Sequence, residues 1–137
     1  MSYTRRDLVT RALGMLGILA EGQDISPTDL SKMDALVNGA MQELIDLEIF
    51  YVADFGELGP MGGDIDAGAF LSLAAYLANA AASDFNLAAD EKIQALATQA
   101  EARLRTLSRP PRAKARLSID PILRGGNRGY AKWPNNF

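Results

Sequence analysis

The side chains here that could carry chemistry are carboxylates. Asp64 and Asp66 stand two residues apart beside a glycine-rich run, with Glu57 a short way upstream. Paired carboxylates can divide acid and base work in glycoside cleavage, as in a wall hydrolase, or supply oxygen ligands to a hard cation. Two of them without a further constellation more often cap a helix, because an N-terminal aspartate accepts hydrogen bonds from amides that lack a helical partner. Capping is therefore the role expected of Asp64 and Asp66. The 137 residues contain no histidine and no cysteine. That removes the usual general base, the imidazole metal ligand, the thiolate nucleophile and the disulfide. Gly56, Gly59, Gly62 and Gly63 do not make a phosphate cradle, since neither a Gly-Lys-Ser/Thr ending nor a GxGxxG run after a convincing strand is present. The composition points away from an enzyme, and no catalytic, cofactor-binding or metal-binding residue is expected.

Positive charge is the other resource, and it is unevenly placed. Residues 1–108 hold 7 Lys and Arg against 16 Asp and Glu, net −9, while residues 109–137 hold 7 against Asp120 alone, net +6. Arg109, Arg112, Lys114, Arg116, Arg124, Arg128 and Lys132 are interleaved with Leu117, Ile119, Ile122, Leu123, Tyr130, Trp133 and Phe137. Four prolines and the Gly125-Gly126 pair exclude helical periodicity, and the apolar content is too low for this tail to fold alone. Its spacing suits an extended segment that drops anchors into successive pockets of another surface. A basic tail on an acidic body seeks an acidic partner, whether nucleic acid, a protein surface or a neighbouring copy.

The body must then be a scaffold, and residues 64–86 are its centre. No formal charge occurs over residues 67–83, where Phe70, Leu71, Leu73, Tyr76 and Leu77 sit among alanines. A helix apolar on every side is surrounded by others, and this one is too diluted and too short for the roughly 20 strongly apolar residues of a bilayer span. Phe70, Leu73, Tyr76 and Leu77 supply contact area to helices of this chain or of another copy, which makes them the candidate subunit-packing residues of the body.

Three further helices should cover it. Thr4 and Asp7 have capping-box spacing, after which Leu8, Val9, Ala12, Leu13, Leu16 and Leu19 face inward, Arg5, Arg6, Thr10 and Arg11 face outward, and Gly22 breaks the helix. Ser26-Pro27-Thr28-Asp29 starts a second helix with Leu30, Met33, Val37, Ala40, Met41, Leu44 and Leu47 inward and Asp34, Gln42, Glu43 and Asp46 in solvent. The short connection predicts an antiparallel hairpin. Ile49-Phe50-Tyr51-Val52 reads as a brief extended segment before the glycine-rich loop. A last helix begins near Asp90 and runs to about Ser108, with Ile93, Leu96, Ala97, Ala100, Leu104 and Leu107 inward, a Glu101–Arg105 pair outside, and Pro110-Pro111 as the stop. Residues 1–8 lack the apolar core of a signal peptide, so synthesis and residence in a cytosol is the default expectation.

The order of these parts resembles a known family. Asp7-Leu8-Val9 leading to Ala12-Leu13-Gly14-Met15-Leu16-Gly17, an acidic Gly22-Gln23-Asp24 loop, then Leu36-Val37-Asn38 and Glu43-Leu44 in a long second helix are similar to the head-to-tail adaptors of tailed bacteriophages. These are also called head completion, packaged-DNA-stabilisation or tail accessory proteins. The resemblance covers residues 4–108 and extends by architecture to the C-terminal arm. It implies a ring, typically of twelve copies, docked beneath the portal protein and above a tail or nozzle protein. Double-stranded DNA would pass through the centre without sequence-specific contact. The expected location is the virion at the head-tail interface, with no membrane involved.

The expectations are then an all-α fold, with a four-helix body over residues 1–108 and a long extended arm over residues 109–137. Arg109, Arg112, Arg116, Ile119, Ile122, Leu123, Arg124, Arg128, Tyr130, Trp133 and Phe137 would contact the portal or a neighbouring subunit. Glu43, Asp46 and Glu48 are the candidates for the channel wall, where they would repel phosphate and keep DNA sliding. The alternative is a small nucleic-acid-binding or regulatory helical protein using its basic arm. Against it stand the acidic body and the lack of a recognition helix rich in Arg, Asn and Gln.

Overall fold

The computed structural model describes residues 1–56, 62–88 and 90–109. Four helices dominate them: α1 (Arg5–Met15), α2 (Pro27–Asp46), α3 (Ala67–Ala81) and α4 (Glu91–Ser108). The fold is not purely helical, because β1 (Ser2–Tyr3) pairs antiparallel with β2 (Ile65–Asp66), Ser2 opposite Asp66 and Tyr3 opposite Ile65. The extended arm expected beyond Arg109 lies outside the described residues.

Local chemistry sets each helix start. At α1 the Asp7 amide donates to the Thr4 hydroxyl at 3.3 Å while the Thr4 amide donates to the Asp7 carboxylate at 2.9 Å, a reciprocal capping box. At α2 the Ser26 hydroxyl accepts from the Asp29 amide at 3.2 Å and Pro27 takes the first helical position. At α4 Asp90 accepts from the Lys92 amide at 3.0 Å. The α3 start departs from expectation: Asp66 occupies the N-cap position without a side-chain capping bond. Its backbone belongs to the β1–β2 ladder, which aims the chain into α3, and its carboxylate lies over Gly68, 3.0 Å from where a Cβ would stand.

The helix ends show why periodicity misplaced two boundaries. α1 closes at Met15, before Gly22, because Gly17 takes φ +74° and the Ile18 amide folds back to the Leu13 carbonyl at 3.2 Å. That is a Schellman closure, and Leu16 and Leu19 continued the helical spacing through it only by coincidence. α2 closes the same way, with Ile49 N donating to Leu44 O at 2.9 Å and Glu48 N to Ile45 O at 3.0 Å. Ile49 is buried in the core, and Leu47, expected inside, is 55% exposed. The left-handed position of this turn, φ +54°, is held by Glu48, where glycine would carry no Cβ penalty. Glu48→Gly is therefore expected to raise stability by about 0.5–1 kcal/mol, read as a higher urea midpoint at unchanged slope. The segment 49–52 is not a strand either; beyond it Asp54 bridges Asp64, with Asp64 N donating to Asp54 O at 2.8 Å.

α3 packs against each of the other three helices, as its lack of a polar face requires. Leu73, Ala74, Leu77, Ala78 and Ala81 are fully buried there against Leu8, Val9, Met33, Val37 and Leu44 in one core cluster. Tyr3 stacks on Phe70 with ring centroids 4.0 Å apart, so the small ladder also seals the N-terminal end of α3. α4 buries Ala97, Ala100 and Leu104 but leaves Leu96 and Leu107, both expected inside, exposed. The Glu101–Arg105 pair forms at 2.8 Å on the outside.

Arg5 is the largest correction. Expected in solvent, it is 2% exposed and joins three parts of the chain. Its Nε donates to Asp34 Oδ1 at 2.6 Å, Nη1 to Asn38 Oδ1 at 2.6 Å and to Gly56 O at 3.1 Å, and Nη2 to Asp34 O at 2.6 Å. Asp34, expected on the solvent face, is its ion-pair partner. A planar guanidinium fits this set because it presents five donors in a fixed fork. Position alone hid it: the first residue of a helix is not bound to the apolar stripe that later turns define.

Candidate subunit-contact surface

The residues expected to pack against another copy divide once the helices are in place. Leu73 and Leu77 are fully buried and Phe70 nearly so, all within the core of their own chain, which corrects their reading as subunit-packing residues. A charge-free helix gives no polar stripe, so its covered and open sides could not be told apart in the sequence. The large apolar side chain that α3 leaves open is Leu71, 56% exposed.

Tyr76 is half-buried between helices. Burial pushes its phenol up to about 12 from 10.0, helped by a hydrogen bond with Glu43 and by the negative charges of Glu43 on α2 and Glu101 on α4. The folded state thus prefers the neutral phenol. The corresponding stability is fully present below the unfolded value of 10.0 and is lost as pH rises through about 12. Absorbance titration at 295 nm should show a late phenol component that is absent in Tyr76→Phe and moves back toward the ordinary value in Glu43→Gln.

On another side of α3, between α1 and α4, a groove of about 290 Å³ is floored by Leu71, Ser72, Ala75 and Ala100, walled by Met15, Leu96 and Gln99, and flanked by Arg11 and Arg103. Neither arginine has an ion-pair partner among the described residues. A wider, shallow hollow of about 710 Å³ runs along α1 over Tyr3, Phe70 and Leu19. Its charges have both signs, Asp7, Arg11 and Glu21, and Asp7 is already engaged in the capping box.

Charge is divided along the body. No Lys or Arg occurs between Lys32 and Lys92, a stretch with eleven Asp and Glu. The candidate channel residues lie in it. Glu43 and Asp46 are exposed along α2 and Glu48 in the turn that closes it; Glu43 is engaged by Tyr76, and Asp46 accepts from Gln42 Nε2 at 2.8 Å. Close by in the chain Leu47 is 55% and Tyr51 68% exposed, two open apolar side chains at and just after the end of α2. This patch and the α1–α4 groove were both missed in the sequence. The signal available for the first was a helix stop at Glu48 lacking its glycine.

The remaining candidates are quickly placed. Asp64 and Asp66 are exposed at the ladder, and Glu57 lies outside the described residues, within which no group of three or more acidic side chains gathers as a metal cage would. Arg109 is described, exposed and in extended conformation at the end of α4, as the residue before a proline must be. Arg112, Arg116, Ile119, Ile122, Leu123, Arg124, Arg128, Tyr130, Trp133 and Phe137 lie outside the described residues. Among the described residues, no helix is long and apolar enough to cross a membrane. No protein-family model and no curated protein matches the chain.

Proposed function

We propose that this chain is a non-enzymatic structural connector of a tailed-phage virion, a subunit of a ring, twelve copies in number, that docks beneath the portal, extends the DNA channel and joins the tail. The observation that carries this reading is the division of charge at the end of α4. An acidic helical body stops at Arg109, and a basic segment bearing aromatic and aliphatic anchors follows. The sequence resemblance to head-to-tail adaptors supports it. A ring subunit needs a body stiff enough to hold its neighbours in register, which a core centred on α3 and locked by Arg5 supplies. Exposed Glu43, Asp46 and Glu48 suit a wall past which a polyanion slides, and the arm residues Arg109 to Phe137 suit the portal or an adjoining subunit.

Sedimentation of the full chain and of a version ending at Ser108 tests the reading, together with a salt titration of DNA binding. Expected are assembly of the full chain and little DNA affinity at any salt; loss of assembly on shortening would place the arm in a subunit contact, and unchanged assembly would point it toward the portal. A monomer whose DNA binding weakens steeply as salt rises would instead be a nucleic-acid-binding protein.

A further inference from the structure

We infer that copies of this chain join head to tail, the acidic apolar end of α2 in one copy seating on the α1–α4 groove of the next. The inference rests on the ring reading above and specifies which surfaces make the ring. Leu71 and Leu96 stand open in the groove between Arg11 and Arg103, and Leu47 and Tyr51 stand open beside Asp46 and Glu48. Each patch has what the other lacks. The groove offers an apolar floor and two cations unpaired among the described residues; the α2 end offers two projecting apolar anchors on a stretch that has no cation at all. An interface commonly has apolar anchors at its centre and complementary charge at its rim, the anchors setting affinity and the rim charges setting approach and register.

The two patches share no residue, so one contact leaves a free groove at one end and a free α2 end at the other. Such a contact is heterologous and propagates, closing into a ring when the rotation per copy allows. Glu48 adds an independent sign. It keeps a carboxylate in a left-handed turn where glycine would relieve the backbone, the kind of local strain that gathers at functional positions.

Sedimentation velocity of full-length Leu71→Glu and Tyr51→Lys tests this, both side chains being exposed, with circular dichroism to verify folding. Wild type should assemble with concentration. Each variant alone should remain a monomer, the first lacking a groove and the second lacking an α2 anchor. A one-to-one mixture should form a dimer and nothing larger, because a single intact groove meets a single intact α2 end. Folded variants that assemble like wild type, or a mixture that stays monomeric, would overturn the contact while leaving the ring reading in place. A wild type that stays monomeric at every concentration would defeat the ring reading itself, and the contact with it.

Discussion

Arg5→Ala is expected to lower the unfolding free energy by about 2–3 kcal/mol, the cost of losing a buried guanidinium that bonds to a charged group and to a buried carbonyl, discounted because Asp34 is partly open to water. Domains of this kind hold only about 5–15 kcal/mol in total, so the change removes a substantial part of the stability. The loss falls mainly on the Gly56 carbonyl, whose contact with Arg5 is buried, since Asn38 is exposed and Asp34 is half-buried, so water can partly replace the guanidinium there. Asp34 would keep its charge without a counterion, and Asn38 Oδ1 and the Gly56 carbonyl would each lose a donor. Arg5→Lys should recover only part of the loss. An ammonium retains the charge opposite Asp34 but cannot present the planar fork that reaches α2 and the Gly56 carbonyl together. Urea unfolding of the three proteins gives the ordering, wild type above lysine above alanine.

Gly56→Ala should cost about 2–4 kcal/mol, from the left-handed backbone and from overpacking. Gly56 has φ +78°, and a Cβ there would stand 2.7 Å from the Gly62 carbonyl carbon and 2.9 Å from the Gly63 nitrogen. Those atoms are backbone, and Gly62 O is itself held by the Arg5 amide at 2.9 Å, so they cannot yield without moving the start of α1. Because Gly56 O accepts from Arg5, the two substitutions damage one network. The double variant should lose measurably less than the two single losses added together. An additive result would mean that the ends of this loop are held independently of the arginine.

Much of the scaffold was legible because it is written in local chemistry. The capping box at Thr4 and Asp7, Ser26 before Pro27, the acidic start and proline stop of α4, and the Glu101–Arg105 pair are short-range patterns with one physical solution each. The apolar length of α3 likewise required burial on all sides. What could not be read depends on contacts far apart in the chain. Arg5 finds Asp34 and Gly56 only after α1, α2 and the loop have met, and the β1–β2 ladder joins residues more than sixty positions apart. The end of α1 was masked by Leu19, which continues a helical period that the backbone has already abandoned at Gly17, while Leu47 keeps the period of α2 as its C-cap, one residue before the left-handed Glu48.

The contact surface was less legible still. Spacing puts Leu47, Leu96 and Leu107 inward, and makes Phe70, Leu73 and Leu77 candidates for packing against another copy. The helices reverse both assignments, since α4 lies against α3 without closing the side toward α1. Charge was the better guide. The absence of any cation between Lys32 and Lys92 follows directly from the sequence, and Asp46 and Glu48 at the end of α2 lie within that stretch.

The central claim is that this protein acts by assembling with copies of itself between two other bodies, with no reaction of its own. Its most direct test is the mass of the full chain in solution by sedimentation equilibrium over a wide concentration range. The account predicts a concentration-dependent climb from the 14.7 kDa monomer to a closed species of many copies with no continuous growth beyond it. A single 14.7 kDa species at every concentration would contradict it.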